Sequence, residues 1–218
     1  MANFSSDRDI LKYEPVLFGQ LHLPGQVLIS GTGAELNGTT FTAADADFTS
    51  AKVSAGCVIY LQSSDGVCDM PAEIISVDSA TQLTVSVIRA DTDDDAISPP
   101  AADDISYRVT TYEPQAQEVG FQLTEYFGIA PGNPASEYDS DEILDAAVLK
   151  QASVFAVIST VYAMLAGGAD DENFWKKSLH YQKLFEKARQ RCWLGIDTGS
   201  DGIADLTRTG TSAKLVRD

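Results

Sequence analysis

At 218 residues, 44% of them apolar and 22% charged, the chain is long enough for one domain or slightly more and has the composition of a folded protein rather than a disordered one. Its formal charge is −17, from 32 acidic against 15 basic residues, which disfavours a free nucleic-acid binder that works by gripping phosphates. Three cysteines make no disulfide framework and no basic-then-apolar signal opens the chain, so the expectation is a reducing compartment without export.

From the amino terminus, Ser6 with Asp9 three residues on has capping-box spacing. Asp7 and Asp9 suit the positive end of a short helix, and Pro15 stops it. Between Val27 and Tyr112 the apolar period changes to two. Val27–Ile29, Cys57–Leu61, Glu73–Val77, Leu83–Val87 and Ile105–Val109 read as strands. Turn formers separate them at Ser30-Gly31-Thr32-Gly33, Asn37-Gly38, Ser64-Asp65-Gly66 and Asp78-Ser79. Short strands in this number, with no helix between them, predict a small antiparallel barrel or sandwich. Asp91 to Asp104, with six aspartates and Pro99-Pro100, reads as a mobile hairpin loop.

Helices resume at Pro114, with Ala116, Val119, Leu123, Tyr126 and Phe127 on one face, and Pro131-Gly132-Asn133-Pro134 breaks that helix. Ser140, or Asp139 with Glu142, is placed to cap a long helix reaching about Leu165. Gln151 to Ala169 carries no charge and approaches the length of a bilayer span, but its polar interruptions and Gly167-Gly168 favour a helix buried in protein all round. Val154, Phe155, Ile158, Val161, Tyr162 and Leu165 cover more than one of its faces, which predicts burial against the last helix and against the β module or a second subunit. Asp170 and Asp171 open that last helix, which runs to about Leu194. The fold class is therefore α+β: a helical framework of about four helices with a small antiparallel β module inserted after the first. Its segments are 1–24, the amino-terminal helix and its approach; 25–112, the β module; 113–200, the helical core; and 201–218, an extended carboxy-terminal arm.

The last helix has two faces. Phe174, Tyr181, Phe185, Ala188 and Cys192 form an apolar stripe, and Lys176, His180, Lys183, Lys187 and Arg191 a basic one on the opposite side. The basic stripe is either a solvated back or a docking face for an acidic surface, and the nearest such surface is the protein's own body. Charge is indeed uneven: residues 1–169 hold 24 acids and 6 bases, residues 170–218 hold 8 acids and 9 bases.

Signals for catalysis are poor. His22 sits beside Pro24-Gly25 at a junction, and His180 lies about 18 Å of helix rise from Cys192, too far for a pair. Gly31-Thr32-Gly33 precedes a strand pattern rather than a helix, so it is a turn and no phosphate cradle. Asp197-Thr198-Gly199-Ser200-Asp201-Gly202-Ile203-Ala204-Asp205 resembles a calcium loop in part. However, Gly199 removes the third ligand and Arg208 replaces the twelfth, leaving an Asp/Gly turn as the plainer reading. No enzyme, cofactor or metal is expected.

The capped Ser6-Asp7-Arg8-Asp9-Ile10-Leu11 helix, the strand module and an alanine-rich long helix lead into Phe174-Trp175-Lys176-Lys177, His180-Tyr181 and Phe185. The Asp197–Asp205 turn and a terminal Leu215-Val216-Arg217 follow. This combination resembles the head–tail connector adaptors of tailed bacteriophages, over the helical parts of the chain; the β module departs from their all-helical members. The resemblance implies a structural virion protein of the neck, made in the host cytoplasm. It implies a dodecameric ring bound to the portal protein above and the next neck or tail protein below, with DNA passing through its channel unbound. It also implies portal docking by the carboxy-terminal segment, here Lys214, Leu215, Val216 and Arg217. The charge reading of the last helix separately makes its basic stripe the expected subunit interface, and no membrane partner is expected. Two rivals remain: a tail or baseplate component whose β module binds surface carbohydrate, with Tyr60 and Tyr107 as its aromatic candidates, and a small carboxylate-based hydrolase.

Overall fold

In the computed structural model, which describes residues 3–129, 133, 136, 138–169 and 172–210, the Ser6–Asp9 capping box forms as its spacing predicts. The Ser6 backbone N–H and hydroxyl both donate to Asp9 Oδ2, at 3.1 and 2.9 Å, and start helix α1 (Asp7–Leu11). By contacts the chain divides into two units, Ser6–Tyr112 and Met1–Ser5 with Glu113–Asp218. Four α-helices are present among the described residues, and α1 belongs to the first unit, with the strands.

That unit is a closed six-stranded antiparallel barrel: β1 (Val27–Asn37), β2 (Thr40–Thr42), β3 (Val58–Ser63), β4 (Asp69–Val77), β5 (Gln82–Ser86) and β6 (Ala102–Thr110), in spatial order β1-β2-β5-β4-β3-β6. Alternation sends Ile59, Leu61, Ile74, Leu83, Val85, Ile105 and Val109 inward, where each is buried. At about 1.5–3 kcal/mol per fully buried side chain, this interior is the unit's main source of stability. Phe41, Phe48 and Tyr107 close it as a three-ring cluster, with centroids 5.2 Å apart for Phe41–Tyr107 and 5.9 Å for Phe48–Tyr107.

Ser30-Gly31-Thr32-Gly33, expected as a turn between strands, lies inside β1 instead. Pairing of β1 with β6 slips three times along this strand, and such bulges bend a strand enough to close a barrel. Gly31 stands opposite Tyr107, where a Cβ would meet the tyrosine hydroxyl at 2.7 Å, so the ring crosses the strand only because no side chain is there.

The second unit is built on α2 (Glu113–Tyr126), α3 (Lys150–Ala169) and α4 (Glu172–Arg191), with a small two-stranded sheet of β7 (Trp193–Ile196) and β8 (Leu206–Thr209). The segment 146–168 is long and apolar enough to cross a membrane by length and composition. Here α3 packs against α2 and α4, burying Val154, Phe155, Ile158, Val161 and Tyr162, with Leu165 half-buried. Within its own unit the second neighbour of α3 is α2. Ser5 joins this unit through a 2.7 Å hydroxyl contact with Ser153.

Three expected boundaries are corrected. Asp139 and Glu142 form their capping box around the short 3-10 turn Ser140–Glu142, and α3 begins only at Lys150. The intervening chain is drawn off as a strand-like partner of β7: Leu144 N–H donates to the Gly195 carbonyl at 3.1 Å and Asp197 N–H to the Glu142 carbonyl at 2.9 Å. The last helix ends at Arg191 rather than about Leu194, because Trp193–Ile196 pairs antiparallel with Leu206–Thr209. Of the region read as an extended arm from residue 201, Leu206–Thr209 is strand β8, and Gly210 N–H donates to the Cys192 carbonyl at 3.0 Å.

Candidate functional site

Helix α4 separates its two faces as the sequence predicts. Its inner side packs on α3: Tyr181 is buried between Phe155 (6.0 Å) and Tyr162 (6.2 Å, nearly parallel), and Ser178 and Ser159 exchange hydroxyl-to-carbonyl hydrogen bonds of 2.9 Å. Ala188 and Cys192 are buried on the same side, and Phe174 and Phe185 half-buried. The outer side carries Lys176, His180, Lys183, Lys187 and Arg191, all exposed, in a stripe about 80° wide at 100° per residue. Lys176 makes a 3.0 Å surface pair with Glu172. Among the described residues Lys183, Lys187 and Arg191 have no ionic or hydrogen-bonding partner. One border of the stripe is apolar, since Trp175 and Leu179 are 51% and 38% exposed; neither is assigned to the α4 surface by the sequence pattern.

The turn after α4 is held by its own carboxylates. Asp197, buried, accepts from Gly202 N–H at 2.7 Å and Asp201 N–H at 3.3 Å. Asp205 accepts from Thr198 N–H, Thr198 hydroxyl and Gly199 N–H at 2.9, 2.7 and 3.1 Å, which hold its carboxyl below the usual range. Backbone donors take up these oxygens, and no group of three or more His, Cys, Asp or Glu among the described residues is placed to hold a metal ion. The docking residues implied by the resemblance, Lys214, Leu215, Val216 and Arg217, lie outside the described residues.

In the barrel unit one ionic network stands out. Glu73, 1% exposed, receives Arg8 Nε on one oxygen and Arg89 Nε, at 2.5 Å, on the other. Arg8 also donates to the Arg89 carbonyl at 3.0 Å. Arg89 reaches on to the carbonyls of Thr92 and Asp94 at 2.9 and 2.6 Å. The aspartate run expected as a mobile loop is therefore anchored at its start by a buried cation. Asp91, Asp93, Asp94 and Asp95 are all exposed.

A cleft of about 410 Å³ opens on the outer face of β1, β3 and β6, lined by His22, Ser30, Tyr60, Gln62, Ser106 and Arg108. Tyr60 and Arg108 are cross-strand partners, with the guanidinium 5.3 Å from the ring centroid. Arg108 is tied to the Gly19 carbonyl at 2.6 Å. Burial, with Asp69 accepting its hydroxyl proton, pushes Tyr60 up to about 12. His22 is lowered by burial and then by Arg108. Tyr107, the other aromatic candidate, is turned into the barrel core and 6% exposed. Burial pushes the Cys68 and Cys192 thiols up, away from nucleophilic character.

No protein-family model, curated protein or solved structure matches this chain.

Proposed function

We propose that the protein is a structural virion component, an adaptor ring of a tailed bacteriophage neck that joins the portal to the tail and lines the DNA channel. The resemblance of its helical parts supports this reading. The observation that carries it is the exposed cationic face of α4 on a chain of net charge −17. Copies of so acidic a body repel one another unless an opposite charge is presented at their contacts, and this stripe presents it. An acidic wall also suits a conduit, because phosphates slide past it instead of releasing counterions onto it. The ring, dodecameric by the resemblance, takes the portal protein on one side and the next neck or tail protein on the other, and no catalytic step is assigned. Mixing the purified chain with portal rings and weighing the products tests the reading: a ring-sized addition to the portal supports it, and absence of any complex defeats it.

The barrel cleft favours a second reading, a tail or baseplate component that binds carbohydrate. Tyr60, Gln62, Ser106 and Arg108 put an aromatic edge beside polar groups, a common arrangement for sugars. Binding of host-surface glycans to the isolated protein, lost in Tyr60→Ala, separates this reading from the first.

A further inference from the structure

We propose that the outer face of α4 receives the Asp91–Ile97 loop of a second copy of this chain, a contact that rests on the ring reading and supplies its subunit interface. The two surfaces match in charge and in apolar character. On the helix, Lys176, His180, Lys183, Lys187 and Arg191 run along about 22 Å of axis, bordered by exposed Trp175 and Leu179. On the loop, Asp91, Asp93, Asp94 and Asp95 crowd into a segment no longer than about 14 Å, followed by Ile97, which is 52% exposed. A loop of that length faces about three of the five cations, with Ile97 within reach of the apolar border.

The loop's own construction points the same way. Four carboxylates in five residues repel one another, and a loop meant only for solvent needs no buried anchor. This one is anchored by Arg89, which shares the Glu73 carboxylate with Arg8 and grips the loop by its carbonyls rather than its carboxylates. The carboxylates are left facing outward, and among the described residues those of Asp93 and Asp95 have no hydrogen-bond or ionic partner. Lys183, Lys187 and Arg191 of α4 are in the same condition among the described residues, so each surface holds what the other lacks.

A helix face on one copy meeting a loop on the next is a heterologous contact. Such contacts close into rings when the rotation between neighbours allows and otherwise give open filaments. This is the kind of interface a ring needs, unlike the self-complementary patch of a two-fold dimer.

The test is a charge swap read by mass, on the full chain with and without portal rings. Reversing the helix (Lys183→Glu with Lys187→Glu) or the loop (Asp93→Lys with Asp94→Lys) is expected to raise the subunit dissociation constant about tenfold or more. Mixing the two variants should restore assembly, because each then offers the charge the other now lacks. Circular dichroism of each variant establishes that it is folded; the mixing result does not depend on how stable either one is. Rescue in the mixture supports the proposal. Unchanged assembly in both variants, or no rescue on mixing, overturns it, as does a duplex oligonucleotide that binds the wild-type α4 face and is lost in the helix variant while assembly persists. Rings that still form and dock on the portal in both reversed variants leave the adaptor reading intact and reject only this contact, whereas a wild-type chain that stays monomeric with and without portal rejects both.

Discussion

Glu73 shows how much one buried side chain can organise. Its two oxygens hold Arg8, from the amino-terminal helix, and Arg89, the root of the acidic loop. Removing it leaves two cations in a site where Glu73 itself is 1% exposed and each arginine 8%. Breaking a buried pair from one side costs about 3–5 kcal/mol, so Glu73→Ala should lower unfolding stability by that amount in a denaturant titration. A loss below about 1 kcal/mol would show that the network is solvated in solution. Tyr60 makes a second prediction. Its folded value of about 12 stands above the ordinary 10.0, so the stability it contributes is whole below pH 10 and is lost as pH rises through 12. A difference titration of tyrosinate absorbance between the wild type and Tyr60→Phe should place the missing tyrosine near 12; a midpoint at 10 would mean that burial and Asp69 do not act on it. None of this was legible in the sequence. Glu73 meets partners 65 residues before it and 16 after it, and no local pattern announces a contact over that separation.

At the scale of elements, local signals were read correctly where local physics decides and missed where pairing decides. The Ser6–Asp9 cap, strands β3 to β6, the first three residues of β1 and the two faces of α4 follow from spacing alone. The sixth barrel strand, Thr40–Thr42, is too short for a period to show. Ser30–Gly33 has turn composition, yet its glycines serve a bulged strand in contact with Tyr107, a contact only the closed barrel creates. The cap at Asp139 was real, but the helix it should have started was lost to pairing with β7. The long helix itself gives a firm expectation. Phe155, 7% exposed and 6.0 Å from Tyr181, lies where α3 and α4 pack. Phe155→Ala should cost about 3–5 kcal/mol, measured by chemical unfolding. A change under about 1 kcal/mol would mean that the α3–α4 contact is loose.

The whole molecule is acidic, with one cationic helix face and one anchored anionic loop, and its proposed role follows from how copies of such a body can meet. Exposed charge pairs are screened beyond about 10 Å at 0.1 M salt, so assembly should weaken as salt rises. The carboxy-terminal segment adds a separate expectation. Because Leu206–Thr209 pairs with β7 and Gly210 binds the end of α4, a truncation that removes them disturbs the fold and tests nothing about docking. Removing 211–218 alone, which deletes Lys214, Leu215, Val216 and Arg217, should abolish capture by portal rings while subunits still associate. Full capture of that variant would move portal docking elsewhere on the chain. The most direct measurement is the mass of the complex formed by the wild-type chain on purified portal rings at low and high salt. The expected product is a single discrete ring, dodecameric on the portal, whose occupancy falls as salt is raised. A chain that remains monomeric beside the portal at every salt concentration would contradict it.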